Sequence, residues 1–213
     1  MSTDPTHDPL APGAGHDGVL AGLQDVTQAD LDRLHARLVA DAQARGELDV
    51  AYRTLDSPVG KLLLAATDSG LVRVAFAVED HATVLSELAT RVSPRILHAP
   101  QRLDVAVRQL EEYFAGRRRV FDLALDLRLA TGFRREVLAH LPEIGFGRTA
   151  TYTELAAAAG RPLAVRAAAS ACATNPVPLV VPCHRVLRAD GSVGGYRGGP
   201  AAKQTLLALE QAA

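Results

Sequence analysis

Between Asn175 and Val186 the chain reads NPVPLVVPCHRV, and no other stretch restricts its own backbone so tightly. Proline fixes its φ at about −65° and biases the residue before it away from helix. Pro176, Pro178 and Pro182 fall within seven positions, so this segment is expected to be a stiff strand leading to one thiol, Cys183. A nucleophile at the end of a rigid approach is a positioned nucleophile. The other 201 of 213 residues must supply what surrounds it.

Composition bounds that surrounding. With 48% hydrophobic residues the chain can bury one large core or two small ones. Two cysteines, Cys172 and Cys183, are too few for a disulfide framework or a cluster of zinc-binding thiolates, which points to a reducing cytoplasm. No basic segment followed by an apolar core opens the chain, and no stretch reaches the roughly 20 apolar residues of a membrane span. The net charge of −1 hides an asymmetry: residues 131–213 carry nine Lys/Arg against five acids, net +4, which leaves −5 for residues 1–130. A basic C-terminal half suits a polyanionic partner.

Residues 1–18 are rich in Pro, Gly, Asp and His and read as a disordered tail, in which His7 and His16 lack a nearby third ligand for a metal. Thr27 is a good N-cap for a helix running to about Arg45, with Leu31, Leu34 and Leu38 as its packing stripe. Residues 1–47 thus form an extension. Residues 48–54, 60–67 and 71–77 are β-prone and separated by short turns, which predicts an antiparallel meander. Helices follow over 80–92 and from Leu103 to Phe114, and the alternation of Val120, Leu123, Leu125 and Leu127 predicts a return strand over 117–129. Residues 48–130 then make an α/β scaffold domain with no evident chemistry.

Residues 131–213 differ in texture. Thr131 can cap a helix buried through Phe133, Val137, Leu138 and Leu141. Thr151 and Glu154 form a capping box that opens a short helix ending at Gly160, and Pro162 suits the first turn of a second helix from Leu163 to about Ala173. Two short helices around a Gly-containing turn outline a helix-turn-helix. In the second, Ala164, Ala167, Ala168, Ala169, Ser170 and Ala171 leave Arg166 as the single long side chain, so this helix either lies very close to another molecule or is buried among other helices.

The adjacency of Cys183 and His184 suggests a cysteine protease, but neighbouring side chains diverge, and protease Cys and His come from separate segments. A metal site would need two further ligands that this neighbourhood lacks. Thiolates are strong nucleophiles toward soft alkyl carbon once positive charge or hydrogen bonds lower their pKa, and His184, Arg185 and Glu210 are available for that.

NPVPLVVPCHRV, the glycines of GGYRGG and a closing helix from Lys203 to Glu210 together resemble the O6-alkylguanine-DNA alkyltransferases, also called methylated-DNA–protein-cysteine methyltransferases. The likeness runs from about Thr131 to Glu210, while residues 48–130 match in general pattern. It implies an α/β (α+β) fold: an N-terminal antiparallel sheet with helices, a ribonuclease H-like scaffold, followed by a mostly helical, winged-helix-like DNA-binding domain. The implied activity is a single-turnover transfer of the alkyl group from O6-alkylguanine in DNA to Cys183 after base flipping. No cofactor and no metal are implied, and whether O4-alkylthymine is also accepted is left open.

By the same resemblance His184 works through a water and is oriented by Glu210, Tyr152 donates to the departing purine, and Asn175 ties the DNA-reading helix to the active-site segment. Arg166 fills the space left by the flipped base, while Ala164, Ala167, Ala168, Ser170 and Ala171, with Tyr152, allow close contact in the minor groove of double-stranded DNA. Pro178, Val186, Gly194, Gly195, Tyr196, Arg197 and Gly198, with Gly199, line the base pocket. Cys172 reads as a small buried residue. The expected location is cytoplasmic, on the nucleoid when DNA is bound. A reading of another class remains: a non-catalytic helix-turn-helix protein that binds lesions or regulates transcription, with Cys183 as a sensor thiol.

Overall fold

The computed structural model describes residues 26–212, so the reading of residues 1–18 lies outside the described residues. Thr27 caps α1 (Gln28–Ala44) through the reciprocal bonds expected of it, Asp30 N–H to Thr27 Oγ1 and Thr27 N–H to Asp30 Oδ2. The packing stripe is corrected. Leu31, Leu34 and Leu38 are half or more exposed, and α1 rests instead on Val39 and Ala42, against Leu48, Ala51 and Ala99. Docking is set by this smaller face and by His35 Nε2, which meets the His98 carbonyl at 2.5 Å.

The meander forms as expected: β1 (Val50–Leu55), β2 (Leu62–Thr67) and β3 (Gly70–Phe76) pair antiparallel in sequence order. The sheet is mixed rather than antiparallel throughout, because β4 (Ile96–His98), between Pro94 and Pro100, adds parallel to β1 and gives the order β3-β2-β1-β4. Every residue of β2 is buried, since α2 (His81–Arg91) covers one face of the sheet and α3 (Asp104–Phe114) the other.

The return strand over 117–129 does not form. One bridge joins Leu71 to Leu125, with Leu71 N–H bonded to the Ala124 carbonyl at 2.8 Å and Asp126 N–H to the Leu71 carbonyl at 3.0 Å. Farther along the same edge of β3, Val74 N–H is already bonded to the Pro176 carbonyl at 2.9 Å. The segment that leads to Cys183 therefore occupies the edge a return strand would need.

In the second half α4 (Phe133–His140) is capped by Gly132, one residue later than the expected Thr131 and with no side-chain cap. A two-residue strand β5 (Ala150–Thr151) runs into α5 (Tyr152–Ala158), whose capping box forms as expected. Next comes α6 (Val165–Ala173), which starts two residues after Leu163. Then β6 (Val186–Leu187) pairs parallel to β5, and α7 (Gly199–Ala212) closes the fold. One buried cluster runs without a break from Leu64 and Phe76 of the sheet through Leu110 and Tyr113 to Leu138, Leu155, Ala168 and Leu206. Among the described residues no helix is long and apolar enough to cross a membrane.

Candidate active site

The proline-rich segment is a set of turns rather than a strand. Val181 N–H returns to the Val177 carbonyl at 2.9 Å, Leu179 holds a φ of 74°, and Cys183–Arg185 is one turn of 3₁₀ helix. A branched residue at positive φ costs of order 1 kcal/mol and persists only where its surroundings dictate it. Leu179 is fully buried, which supplies that constraint. The consequence is a thiol held at depth: Cys183 is 2% exposed.

Asn175, completely buried, is the local organiser. Its Oδ1 accepts from Val177 N–H at 3.0 Å, while its Nδ2 donates to the Val181 carbonyl at 2.8 Å and to Cys183 Sγ at 3.1 Å. Its backbone N–H meets the Cys172 carbonyl at 3.3 Å, so one residue joins the end of α6, through its backbone, to the thiol, through its side chain. Burial pushes the Cys183 thiol up to about 11, with the Asn175 hydrogen bond and the Lys203 charge pulling the other way. This corrects the expectation of a lowered pKa. The desolvation of a buried anion outweighs one neutral donor and a cation that gives no hydrogen bond to the sulfur.

Behind the thiol, Glu210 gathers the positive groups. Its carboxylate accepts from His184 Nε2 at 2.8 Å, Arg185 Nε and Nη2 at 2.9 Å each, Tyr113 Oη at 2.8 Å and Gly147 N–H at 3.1 Å. Burial alone would raise this carboxyl, but the hydrogen bonds from His184 and Arg185 win and hold it at about 2. Burial in turn pulls the His184 imidazole below its usual value, against the pull of Glu210. The ring is therefore neutral, and because Nε2–H points to a carboxylate, Nδ1 carries the lone pair. His184 Nδ1 is buried with no protein partner, a free acceptor on the residue next to the thiol.

Tyr152 opens α5 and is 8% exposed; burial, then the nearby Cys172 and Cys183 thiols, push its phenol up to about 12, so it remains a donor. Its hydroxyl faces Gly194 so closely that a Cβ there would lie 2.3 Å from the oxygen. Val186, buried, gives its carbonyl to Lys203 Nζ at 2.5 Å, and Pro178 is buried in the turn.

Residues 194–198 are held from the scaffold side. The Phe76 ring meets Tyr196 edge-on at 5.3 Å and occupies the space a Cβ on Gly198 would need. Arg197 Nε bonds Glu79 Oε2 at 2.6 Å, an oxygen that also takes Arg73 Nη2 at 2.5 Å, while Glu79 Oε1 accepts from Phe76 N–H at 2.9 Å. Arg73 Nη1 reaches the Pro176 carbonyl at 3.3 Å. Glu79 thus clasps both chain segments that flank the thiol.

The small-residue helix is split. Arg166, Ala167 and Ser170 are exposed and Ala164 partly so, but Ala168 and Ala171 are buried in the core, which removes them from any surface contact. Their methyl groups let α6 pack against α4 and α5. Cys172 is buried beside them as read, and burial raises its thiol well above the usual range.

Sequence reasoning overlooked Tyr113, Lys203, Phe76, Arg73 and Glu79. Lys203 was visible in principle: with Leu206 and Glu210 it repeats at helical spacing on the buried face of α7, where a cation needs a reason. Glu79 and Arg73 also have near partners, each other and the Phe76 amide, but the contacts that tie them to the thiol segment, Arg197 and the Pro176 carbonyl, lie more than 100 residues away.

Comparison with known proteins identifies the family. The family profile described as "6-O-methylguanine DNA methyltransferase, DNA binding domain" matches residues 132–212, and that of its ribonuclease-like domain matches residues 50–127. A methylated-DNA–protein-cysteine methyltransferase of Mycolicibacterium paratuberculosis is 43% identical over 162 residues, covering 76% of this chain and 93% of the relative. The bifunctional transcriptional activator/DNA repair enzyme Ada of Escherichia coli is 39% identical across 76% of this chain and 46% of its own length. Among solved structures, the Mycobacterium tuberculosis O6-methylguanine methyltransferase superposes with a TM-score of 0.68 at 39% identity, covering 76% of this chain and 93% of that one. The Mycobacterium tuberculosis protein solved in complex with DNA gives a TM-score of 0.67 at 40% identity over the same shares. The two family models and these relatives show that the chain belongs to the 6-O-methylguanine DNA methyltransferase family.

Proposed function

We propose that the protein repairs DNA by moving the alkyl group of O6-alkylguanine irreversibly onto Cys183. The observation that carries this reading is the relay behind the thiol, in which Glu210 fixes His184 with Nδ1 free as a proton acceptor. As the alkylated base arrives, the Cys183 proton passes through a water to His184 Nδ1. Sγ displaces guanine from the alkyl carbon: an S–C bond forms, the C–O bond breaks and guanine departs as its anion. Tyr152, kept protonated, donates to that anion. A thioether has no route back to the thiol here, so each molecule acts once.

A guanine inside a duplex cannot reach a thiol that is 2% exposed, so the base must leave the stack, at a cost of a few kcal/mol. The exposed face of α6, with Arg166, Ala167 and Ser170, is suited to lie in the minor groove as the second helix of a helix-turn-helix, with Arg166 entering the vacated space. Residues 48–130 then act as scaffold and 131–213 as the DNA-binding alkyltransferase part. Pro178, Val186, Gly194, Gly195, Tyr196 and Gly198 form the pocket, with Arg197 anchoring its wall. Duplex DNA with O6-methylguanine, mixed with the protein in excess, should lose the lesion in one round, and the Cys183→Ser variant should leave it in place. Removal by that variant would discard the reading, and binding without removal by the wild type would favour the sensor-thiol alternative.

A further inference from the structure

Four arginines from four separate parts of the chain line one cavity of about 220 Å³ between α2, α4 and the 194–198 segment: Arg73, Arg91, Arg134 and Arg197. Glu87 is the one acid in its wall, and Thr174, the residue that ends α6, stands at its side. Glu79 neutralises part of this charge by pairing with Arg73 and Arg197. Those two cations still repel each other: the Arg73 guanidinium is drawn below its usual range first by burial and next by Arg197. The other two guanidinium groups are largely unspent. Arg134 makes no hydrogen bond or ion pair among the described residues, and Arg91 has one contact, 3.5 Å to the Leu129 carbonyl. Arg134 also sits in the first turn of α4, whose start no side chain caps and whose dipole adds positive character there.

Like charges gathered around a partly enclosed space destabilise a fold unless an anion joins them. Planar guanidinium forks match the oxygens of a phosphate in pairs, which ammonium groups do not. The volume falls short of the roughly 300 Å³ at which pockets for drug-sized ligands begin, so it suits one phosphate group rather than a whole nucleotide. We propose that this cavity is a phosphate-binding site, in which Arg91 and Arg134 grip the oxyanion and Arg73 and Arg197 supply field from behind. Because Thr174 ends α6, a phosphate held here would tie scaffold helix α2 to whatever α6 touches. The occupant is either a backbone phosphate of bound DNA or the phosphate of a free small molecule. The first source rests on the reading of α6 as the DNA-facing helix; the site itself does not.

The full-length wild type and an R91Q/R134Q double variant separate these cases. Thermal unfolding in inorganic phosphate, against chloride at equal ionic strength, should show a concentration-dependent rise in Tm for the wild type, with the apparent phosphate affinity at least tenfold weaker in the variant. Binding of unmodified duplex DNA is then followed as a function of salt. If the slope of log K against log salt falls by about 0.9 for each phosphate that the variant no longer neutralises, the source is the DNA backbone. Loss of the phosphate effect with an unchanged slope supports the site and assigns it to a free phosphate compound. A wild type stabilised no more by phosphate than by chloride, or a variant that responds equally, overturns the proposal. The phosphate measurement needs no alkylated DNA, so its failure is distinct from a failure of the repair reading.

Discussion

Two carboxylates, the buried Glu210 and the partly buried Glu79, each gather basic side chains around the same thiol, and they differ in what they hold. Glu210 takes His184, Arg185, Tyr113 and the Gly147 amide, all within hydrogen-bond distance, and leaves His184 with a free Nδ1. Glu79 takes Arg73, Arg197 and the Phe76 amide, and none of these groups can accept a proton near neutral pH. One carboxylate sets the protonation of the site and the other sets its shape. On the proposed mechanism the fold separates chemistry from positioning: Glu210, to which the chemistry is assigned, lies on the helix that closes the second half, and Glu79, which pairs with Arg73 and Arg197, follows directly after β3.

Glu210→Gln should have the largest effect. Removing the charge leaves Arg185 buried without its partner, a change of about 3–5 kcal/mol in buried ion pairs, and it releases the tautomer of His184. Single-turnover repair should slow by about 100-fold or more, the usual range for loss of proton-transfer assistance, and denaturant unfolding should show the stability loss. The pH dependence follows from the same group. The folded Glu210 carboxyl sits at about 2 against an ordinary 4.5, so its contribution is present above about pH 4.5 and is lost as pH falls toward 2. That stretch of acid unfolding should carry about 3 kcal/mol, and Glu210→Gln should flatten it.

Glu79→Gln should do less, and do it differently. The clasp keeps its shape with weaker bonds to Arg73 and Arg197, so stability should fall by about 1–3 kcal/mol. Repair should need more DNA for half-maximal rate while the limiting rate holds, and Glu79→Asp should recover part of the loss. An equal drop in limiting rate for Glu79→Gln and Glu210→Gln would erase the division between shape and chemistry. The smallest effect is expected far from both: Leu34→Gln on the outward face of α1 should change stability by less than about 0.5 kcal/mol, as exposed positions do.

The thiol segment was legible because it is a short, constrained motif, with Cys183 and His184 adjacent behind a proline run that begins after Asn175, whereas the parts given to Asn175 and Glu210 came only from the family resemblance. The capping boxes at Thr27 and Thr151 were legible for the same reason, since each is a bond between residues three apart. What escaped was decided by competition over long separations. The alternation over 117–129 satisfies a strand pattern, yet the edge it required is held by the Pro176 carbonyl. The leucines of α1 satisfy a packing stripe, yet Val39 and Ala42 fit the sheet margin more closely. The alanines of α6 looked like one surface, and only the packing of α4 and α5 shows that Ala168 and Ala171 belong to the core.

The central claim is that Cys183 is the final acceptor of the alkyl group. After reaction with duplex DNA bearing O6-methylguanine, mass spectrometry of the digested protein should find one methyl group per molecule, with fragment ions placing it on Cys183 and leaving Cys172, which shares the 167–185 segment between Arg166 and Arg185, unmodified. A methyl group on any other residue, or an unmodified protein beside repaired DNA, would contradict the account.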